Sequence, residues 1–456
     1  MIIALPLGIL WFGAVIMSML DGTRRHNGWI AIGILLSALT ATAVLATEVL
    51  RYGVQEMRLG GWAPGISIAL RIDALGIVFA LLSLTVLSIA LIYEVVDDVG
   101  ARIFPALVLF MALGLTGVFF TGDAFNFYVS FEISMISAYV MASYGETPRQ
   151  FRAAFIFIVV NLLGSVLFLI GIAAIYHTTG WLDMVKIKEQ MPLVGENSAI
   201  LTATIIFVAF GIKLGLFPFH FWLPAVYTGT RPAVAAILSG ALANIGSYGL
   251  LRFGADIFPR ELSEGARVLM LLSAASVIYG GIQAISRHAP NEVLAYSSIG
   301  QVGYILIALS IGGTAGYTAA ILYAVLNALN KTLLFLSVSM RGWVIGAAFA
   351  VGAFSVAGVP PVGGFLGKLG LFRLAISTDR PLLVALIFVG GALSFIYMFD
   401  LYRRRFWIPG EDEANSGPVR ILIAVLAVAI ILIGVWPEPL LQLSQHAAAV
   451  LPERAP

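Results

Sequence analysis

Three lysines stand inside long apolar stretches of this sequence, where a charged side chain is least expected. Lys213 lies in TATIIFVAFGIKLGLFPF, Lys331 in LYAVLNALNKTLLFLS and Lys368 in VAGVPPVGGFLGKLGLF. They are three of only five lysines, whereas the arginines stand mostly at segment ends and in loops. An arginine keeps its proton in a protein, but desolvation can lower the pKa of a lysine into the working range. A buried lysine can therefore take up and release a proton.

Glu132 is the only carboxylate near the middle of an apolar segment, GDAFNFYVSFEISMISAYVMASYG. A charged group there costs several kcal/mol unless it is paired or hydrated, so such a residue is a functional hypothesis by default. We expect Glu132 to take part in a proton pathway. The alternative is a structural ion pair with one of the lysines.

The segment that carries Lys213 contains signals for a broken helix. Pro218 follows five residues later, and the run HFWLP ends at Pro224. Proline removes a backbone donor and clashes with the preceding turn. Broken helices in a membrane are tolerated where they line a cavity or water. The alternative is a lysine at a helix end whose side chain extends to the membrane interface.

Lys368 follows Pro360-Pro361 and Gly363-Gly364, which again predicts a discontinuous helix with a basic residue. The pentapeptide KLGLF occurs at 213–217 and again at 368–372. Paired interrupted helices in corresponding positions of two halves indicate a transport site.

Polar residues near the lysines could extend such a pathway. Asn327 lies one turn before Lys331 and Asn330 beside it, and these amides could hold water or form ordinary interhelical hydrogen bonds. His220 could join the same pathway, or its ring could be satisfied by backbone carbonyls. Asp73 and Asp123 precede apolar segments, so we expect them to cap helices.

The composition identifies an integral membrane protein. Hydrophobic residues make up 60% of the chain, charged residues 11%, and the mean hydropathy is +0.99. We expect an all-α polytopic protein with about fourteen apolar segments. The segments are near 2–20, 28–48, 74–94, 104–121, 124–143, 153–176, 199–219, 232–251, 267–286, 294–312, 315–340, 343–376, 382–402 and 420–436. Because 343–376 is too long and too rich in glycine and proline, we do not expect one straight helix there.

Composition also excludes several kinds of cofactor and partner. The chain has no cysteine, which excludes disulfides, iron–sulfur clusters and thiolate metal sites. Its five histidines are scattered without an i, i+4 pair, so we expect neither haem nor catalytic zinc and predict no cofactor. The net charge of +2 does not suggest nucleic-acid binding. Arginines in the loops after odd-numbered segments predict an N-terminus outside the cell.

The order of motifs along nearly the whole chain resembles the antiporter-like proteins. This family is shared by Mrp-type multisubunit Na+/H+ antiporters, respiratory complex I and membrane-bound hydrogenases. The resemblance is carried by TGDAFNFYVSFEISMISAYV, FRAAFIFIVVNLLGSVLFLIG, FGIKLGLFPFHFWLPAVYTGTRPAVAAILSG, IGSYGLLR, LAYSSIGQVGY, LNKTLLFL and AGVPPVGGFLGK.

The resemblance implies fourteen helices with two inverted five-helix repeats, formed by helices 4–8 and 9–13, of which helices 7 and 12 are broken. It implies one transmembrane domain over 1–456. Its parts would be N-terminal helices 1–3 in 1–100, the first repeat in 101–255, the second in 256–405, and helix 14 with a tail in 406–456. Glu132 and Lys213 fall on the family's charged pair, Lys331 on the lysine between the halves, and Lys368 on the helix-12 lysine or glutamate.

Two positions depart from the family pattern. Asn244 stands where many relatives have a lysine or histidine on helix 8, and Asn327 replaces a histidine one turn before Lys331. The central relay would then depend on water held by these asparagines or on a base from elsewhere, and reduced or lost pumping is an alternative. The segment between Lys331 and Pro360 lacks a loop that many relatives have, and no long lateral helix follows the last segment. Both features favour a D-type or equivalent middle subunit.

We predict a proton-translocating subunit of an Mrp-type cation/proton antiporter in the cell membrane, without catalytic chemistry of its own. Its partners would be other membrane subunits, protons, and Na+ or another monovalent cation. The alternatives are the same subunit in a redox-driven complex, such as complex I or a hydrogenase, and a non-pumping structural subunit.

Overall fold

The apolar segments fold into helices close to their predicted positions. The computed structural model describes residues 2–58, 60, 67–97, 99–144, 147–407 and 417–452. In these ranges, eleven helical spans are long and apolar enough to cross a membrane, and Phe104–Phe120 and Trp343–Ala357 form shorter apolar helices. The chain is a multi-pass, predominantly helical membrane protein, as predicted. The number of fourteen spans and the two inverted repeats stay predictions, and the last four residues of the predicted tail lie outside the described part.

The helices fall into three runs along the chain. The first contains α1 (Leu5–Met19), α2 (Arg25–Tyr52), α3 (Ala74–Asp97), α4 (Phe104–Phe120), α5 (Ala124–Ser143) and α6 (Pro148–Thr179). The second contains α7 (Met184–Gln190), α8 (Glu196–Leu214), α9 (Trp222–Gly229), α10 (Pro232–Ile237), α11 (Asn244–Gly249) and α12 (Pro259–Ser286). The third contains α13 (Pro290–Ile311), α14 (Gly313–Val338), α15 (Trp343–Ala357), α16 (Gly363–Ser377), α17 (Pro381–Tyr402), α18 (Gly417–Val435) and α19 (Glu438–Ala449).

A small hairpin interrupts the helical pattern between α2 and α3. Its strands, β1 (Gln55–Arg58) and β2 (Ala69–Ile72), pair antiparallel, with Gln55 opposite Ile72. The backbone N–H of Gly122 donates to the Ala69 carbonyl at 2.8 Å, which ties the hairpin to the loop after α4. The sequence did not predict these strands, because their polar segments lack a clear alternating pattern.

Both predicted helix breaks are present. α8 ends at Leu214, where Gly215 adopts a left-handed conformation (φ 67°) that suits glycine at a helix end. A 3-10 turn, Phe219–Phe221, then leads into α9. The second break separates α15 from α16, and Gly358 (φ 82°) ends the first half in the same way. The 343–376 segment is therefore two helices, as its composition indicated.

Residues 232–257 form a helix with an irregular register. Between α10 and α11 the turn Leu238–Leu242 is π-helical, and the π-helical segment Leu250–Ile257 follows α11. The hydropathy pattern alone predicted a regular helix here. π-helical turns inside helices often occur at functional sites.

The centre of the bundle is formed by helices from both halves. In each of Pro232–Ile257, α13 and α14, 94% of the residues in the most apolar stretch are buried. The corresponding share in α18 is 28%. The helices with low burial, such as α12 and α17 at 33%, surround this centre. Lys331, on α14, therefore lies in the most enclosed part of the chain.

Candidate functional site

Lys213 lies in the last turn of α8, directly before the first break. Its ammonium donates to the Asn161 carbonyl at 2.8 Å and to the Ser165 hydroxyl at 3.1 Å, both on α6. The ring centroid of Phe131 is 4.3 Å from Nζ, a cation–π contact. Only 7% of Lys213 is exposed, so the side chain does not extend to the membrane interface.

The break beside Lys213 is held by specific hydrogen bonds. The indole of Trp222 donates to the Ile212 carbonyl at 3.0 Å, which also accepts from the Gly215 N–H at 3.1 Å at the helix end. The backbone N–H of Phe217 donates to the Ser276 hydroxyl of α12 at 2.9 Å. Trp222 also stacks on Phe157 of α6, with ring centroids 5.3 Å apart. These contacts fix the position of the lysine.

Glu132 lies on α5, next to the Phe131 ring that contacts Lys213. It is close enough to Lys213 to interact with it electrostatically. Its Oε1 atom is buried and has no hydrogen-bond partner in the described part of the chain, where no ion pair within 4.0 Å joins it to Lys213. The two groups are thus neighbours in a separated arrangement, and their action as a pair stays a prediction.

A cavity of about 10 Å³ adjoins the Lys213 side chain. This volume is room for about one water molecule. The lining residues are Phe131, Met135, Phe157, Asn161, Lys213, Trp222, Leu238, Leu242, Ala243 and Ile245. The cavity therefore connects the first break with the π-helical turn.

Asn244 lies at this connection, between the lining residues Ala243 and Ile245. The residue is buried, and its side-chain amide donates to the Gly240 carbonyl in its own helix at 2.7 Å. Its role in holding water stays a prediction.

Lys331 has no exposed surface and lies on α14. Its ammonium donates to the Ser297 hydroxyl at 3.0 Å and to the Leu294 carbonyl at 3.4 Å, both on α13. The Oδ1 atoms of Asn327 and Asn330 are buried without a hydrogen-bond partner among the described residues. These oxygens are acceptors, so they could bind water next to the lysine.

A group of buried hydroxyls and one amide continues from Lys331 through the second half. The Tyr397 hydroxyl is 3.0 Å from the Ser297 hydroxyl and 3.2 Å from that of Ser394. The Gln301 amide donates to Tyr397 at 3.4 Å and accepts from the Tyr323 hydroxyl at 2.5 Å. None of these residues was predicted from the sequence as part of the pathway. Ser297 and Gln301 lie in the LAYSSIGQVGY motif, which was the available signal.

Lys368 lies on α16, after the second break. Its ammonium donates at 3.0 Å to the carbonyl of Ala357, the last residue of α15. Carbonyls at a helix end are unpaired and carry partial negative charge, so they stabilise a cation. The ring centroid of Tyr304 lies 5.1 Å from Nζ. The second break thus provides part of the lysine's binding site.

His220 lies apart from the lysines in the described structure. Its ring stacks on Phe217 and lies against Tyr279 of α12, with centroids 5.4 and 4.5 Å away. Nδ1 is buried without a hydrogen-bond partner in the described part of the chain, and these contacts do not join the ring to a lysine. Its predicted place in the pathway stays untested.

In the described part of the chain, no cluster of three or more His, Asp or Glu could hold a metal.

Two carboxylates cap helices as predicted. Asp73 Oδ1 accepts from the Gly76 N–H at 2.9 Å, and Asp123 Oδ1 accepts from the Asn126 N–H at 2.7 Å. Burial raises the pKa of the Asp123 carboxyl, and the hydrogen bond from Asn126 partly opposes that effect. Both residues therefore have structural roles.

Asp73 also belongs to a buried charge cluster centred on Arg252. The guanidinium donates to Asp73 at 2.7 Å, to Asp256 at 3.2 Å and to the Tyr248 hydroxyl at 3.1 Å. Lys188 binds the other oxygen of Asp256 at 2.6 Å. The cluster borders a cavity of about 340 Å³. Arg252 was not predicted as a site residue. The LLRFG sequence places it near a segment end, where an arginine is ordinary.

An aromatic layer separates this charged cavity from the Lys213 region. It consists of Phe127, Phe168, Phe210, Tyr248 and Phe253. Phe127 stacks on Tyr248, with centroids 6.1 Å apart, and contacts Phe253 at 5.2 Å. Phe168 contacts Phe210 at 4.9 Å. Charged groups thus lie on both sides of a layer of packed rings.

The site and the fold together define a class of protein. A polytopic bundle with two broken helices, each with a buried lysine beside its break, is typical of proteins that move ions across a membrane. Residues 121–344 match the family described as NADH:quinone oxidoreductase/Mrp antiporter, transmembrane. This segment, close to half of the chain, is similar to the antiporter-like subunits that the family describes.

Individual relatives agree with this assignment. The D-type subunit of the Na(+)/H(+) antiporter of Alkalihalophilus pseudofirmus is 28% identical over 452 residues, which cover 93% of this chain and 91% of the relative. The Mrp complex from Dietzia sp. contains a chain with the same fold, with a TM-score of 0.90, 24% identity, and coverage of 99% and 97%. The membrane-bound sulfane sulfur reductase, an archaeal respiratory membrane complex, contains a chain with a TM-score of 0.87, 26% identity, and coverage of 98% and 96%.

Proposed function

We propose that this chain is the D-type, proton-translocating subunit of a multisubunit Mrp-type monovalent cation/proton antiporter. One observation carries the proposal: Lys213 is buried beside a helix break, with the separated carboxylate of Glu132 in electrostatic range. Similarity to the D-type subunit of an Na(+)/H(+) antiporter over nearly the whole chain supports it.

In the proposed mechanism, Glu132 and Lys213 form a switchable pair. A nearby carboxylate stabilises the ammonium form of the lysine, and separation in a desolvated site favours loss of the proton. In a low-dielectric site, the attraction between the carboxylate and the ammonium weakens strongly as the two groups separate. A movement of a few Å is therefore enough to make the lysine release its proton. The released proton passes to Lys331, with water near Asn244 and Asn327 as carrier, and Lys368 exchanges it with the opposite aqueous side.

The subunit acts together with partners in this proposal. Other membrane subunits complete the antiporter, and Na+ or another monovalent cation is the counter-transported ion. We place the complex in the cell membrane, with the N-terminus outside, because arginines cluster in the loops after odd-numbered spans.

The test uses Glu132→Gln and Lys213→Ala in the complete complex, assayed for cation-driven proton exchange in everted membrane vesicles. Each variant removes one titratable group of the pair, so we expect the exchange rate to fall by about tenfold or more, equivalent to at least about 1.4 kcal/mol in the barrier. Lys186→Ala is the matched control, because Lys186 is exposed on α7 and its one ion pair in the described part of the chain is with Glu189. Exchange at the wild-type rate in a fully assembled Glu132→Gln or Lys213→Ala complex would refute the pair.

The likeness to the archaeal respiratory complex supports a second candidate, a redox-driven complex with this chain as its pumping subunit. Purification of the native complex and identification of its subunits separates the two. A redox subunit in the complex would favour the second candidate, and its absence from an active, intact complex would favour the antiporter.

A further inference from the structure

Among the described residues, Lys331 donates hydrogen bonds only to α13. Both of its hydrogen-bond acceptors, the Ser297 hydroxyl and the Leu294 carbonyl, belong to α13. A carbonyl cannot pass a proton on, whereas a hydroxyl can accept one and release another. Ser297 is therefore the one partner among the described residues through which Lys331 can exchange a proton.

Ser297 begins a hydroxyl chain, which we define as Ser297, Tyr397 and Ser394. The Oγ of Ser297 accepts from Lys331 and lies 3.0 Å from the Tyr397 hydroxyl. The Tyr397 hydroxyl is also 3.2 Å from Ser394 Oγ. All three side chains are at most 3% exposed, so bulk water does not compete for these bonds.

Tyr397 has a single hydroxyl proton and two serine oxygens within reach. It can donate to Ser297 or to Ser394, but not to both at once. Rotation of the hydroxyl moves the bond from one serine to the other. The Gln301 amide donates to the same phenol oxygen at 3.4 Å, and this bond can remain in both states.

The far end of the hydroxyl chain lies near Lys368. Ser394 Oγ donates to the Gly390 carbonyl at 2.7 Å, and the Tyr304 hydroxyl packs against Gly390. Lys368 Nζ lies over the Tyr304 ring and approaches Gly391, the next residue of α17. A side chain at either glycine would fill this space.

The Tyr304 hydroxyl is the unexplained group in this arrangement. It is buried and has no hydrogen-bond partner in the described part of the chain. A buried hydroxyl without a partner is unfavourable unless water or a movement satisfies it. Its place between Ser394 and Lys368 is where a connecting water would be needed.

We propose that the hydroxyl chain carries the proton onward from Lys331 to Lys368, after the transfer from Lys213 to Lys331. The Lys331 ammonium gives a proton to Ser297, whose own proton passes to Tyr397. Tyr397 gives its proton to Ser394, whose own proton passes to water beside Tyr304, and this water gives one of its protons to the Lys368 amine. Each oxygen gains and loses one proton, so only one positive charge moves. The inference rests on the proposed function.

Tyr397→Phe and Ser297→Ala test the hydroxyl chain in the complete complex. Each variant removes one hydroxyl and keeps the remaining side chain, so the proton path is interrupted with little change in packing. We expect proton exchange in everted vesicles to fall by about tenfold or more, as for loss of a direct proton-transfer group. Ser297→Thr, which keeps the hydroxyl, restores exchange toward the wild-type rate.

Two matched controls lie next to the tested positions. Ser298→Ala removes a buried hydroxyl whose one hydrogen bond among the described residues is to the Leu294 carbonyl of its own helix, at 2.8 Å. Tyr402→Phe removes a phenol on α17 that lies outside the hydroxyl chain. Both controls keep the wild-type rate within about twofold, because proton transfer does not use these groups.

A solvent isotope comparison separates proton transfer from a packing defect. Slowed proton transfer in Tyr397→Phe raises the ratio of exchange rates in H2O and D2O above the wild-type ratio, whereas a packing defect lowers both rates equally. A wild-type rate in Tyr397→Phe, or an unchanged ratio, overturns the hydroxyl chain.

Lys331→Ala in the same assay distinguishes the two proposals. Loss of exchange in Lys331→Ala together with wild-type exchange in Tyr397→Phe refutes the hydroxyl chain and leaves the proposed function intact. Wild-type exchange in Lys331→Ala, Glu132→Gln and Lys213→Ala refutes the proposed function.

Discussion

Each of the three buried lysines is held by neutral oxygens. Lys213 binds a carbonyl and a hydroxyl, Lys331 does the same, and Lys368 binds a carbonyl at a helix end. Neutral acceptors satisfy an ammonium group without the strong stabilisation of a direct ion pair. Glu132 and these lysines were predictable from the sequence, because a charge inside an apolar segment is rare. The hydroxyl chain was not, since serine and tyrosine are common in such helices and only tertiary contacts distinguish them.

Lys368→Arg tests whether this position must release its proton. Arginine keeps the positive charge and the hydrogen bonds, but it does not lose its proton in a protein. We expect the complex to assemble and exchange to fall by about tenfold or more, measured as proton uptake by vesicles. Lys188→Arg is the control, because Lys188 forms an ion pair with Asp256. A Lys368→Arg complex that exchanges at the wild-type rate would show that charge alone suffices there.

At the scale of the elements, the breaks and the π-helical turns differ in how well the sequence predicts them. Prolines and glycines act through local sterics, so their positions were enough to predict the ends of α8 and α15. The turn Leu238–Leu242 depends on tertiary packing, since Gly240 lies against Thr332 of α14. A hydropathy pattern contains no information about that contact. The wall of the Lys213 cavity was therefore not predictable in detail.

Trp222→Phe tests how the first break is stabilised. The substitution keeps an aromatic ring against Phe157 but removes the donor to the Ile212 carbonyl. The Ile212 carbonyl keeps the hydrogen bond from the Gly215 N–H but loses the one from the indole. Loss of one hydrogen bond costs about 0.5–1.5 kcal/mol, so we expect a slightly lower Tm for the purified protein in detergent. Trp343→Phe, at a side chain that is 85% exposed, should leave the Tm unchanged. Equal Tm values for Trp222→Phe and the wild type would contradict this role.

At the scale of the whole molecule, the Arg252 cluster joins parts of the chain that are far apart in sequence. Asp73 precedes α3, whereas Arg252 lies in a π-helical segment 179 residues later. Such a pairing follows from the packing of α3 against Pro232–Ile257, which no local pattern reveals. The general positions of the apolar helices, in contrast, follow from hydropathy alone. The two inverted repeats stay a prediction from the family resemblance.

A double-mutant cycle at Asp73 and Arg252 measures this connection. Asp73→Asn keeps the cap on Gly76 but removes one charge partner of the buried guanidinium, which still binds Asp256. Loss of a hydrogen bond to a charged group costs about 1.5–3 kcal/mol. We expect a clear fall in Tm, and a smaller fall when Arg252→Met is added to Asp73→Asn than the two single changes predict together. Asp123→Asn is the matched control, a helix cap without an arginine partner among the described residues. Additive effects of the two changes would contradict coupling.

The aromatic layer between the Arg252 cavity and Lys213 has an electrical consequence. Voltage falls mainly across the least polarisable material in its path, and packed rings are far less polarisable than a hydrated, charged cavity. Moving one elementary charge through 100 mV changes its energy by about 2.3 kcal/mol. The rings of Phe127 and Tyr248 therefore bear much of the membrane voltage. The resting subunit then stores charge across this layer and does not conduct ions through it. The packing density of these rings then determines the passive leak of ions through the resting subunit.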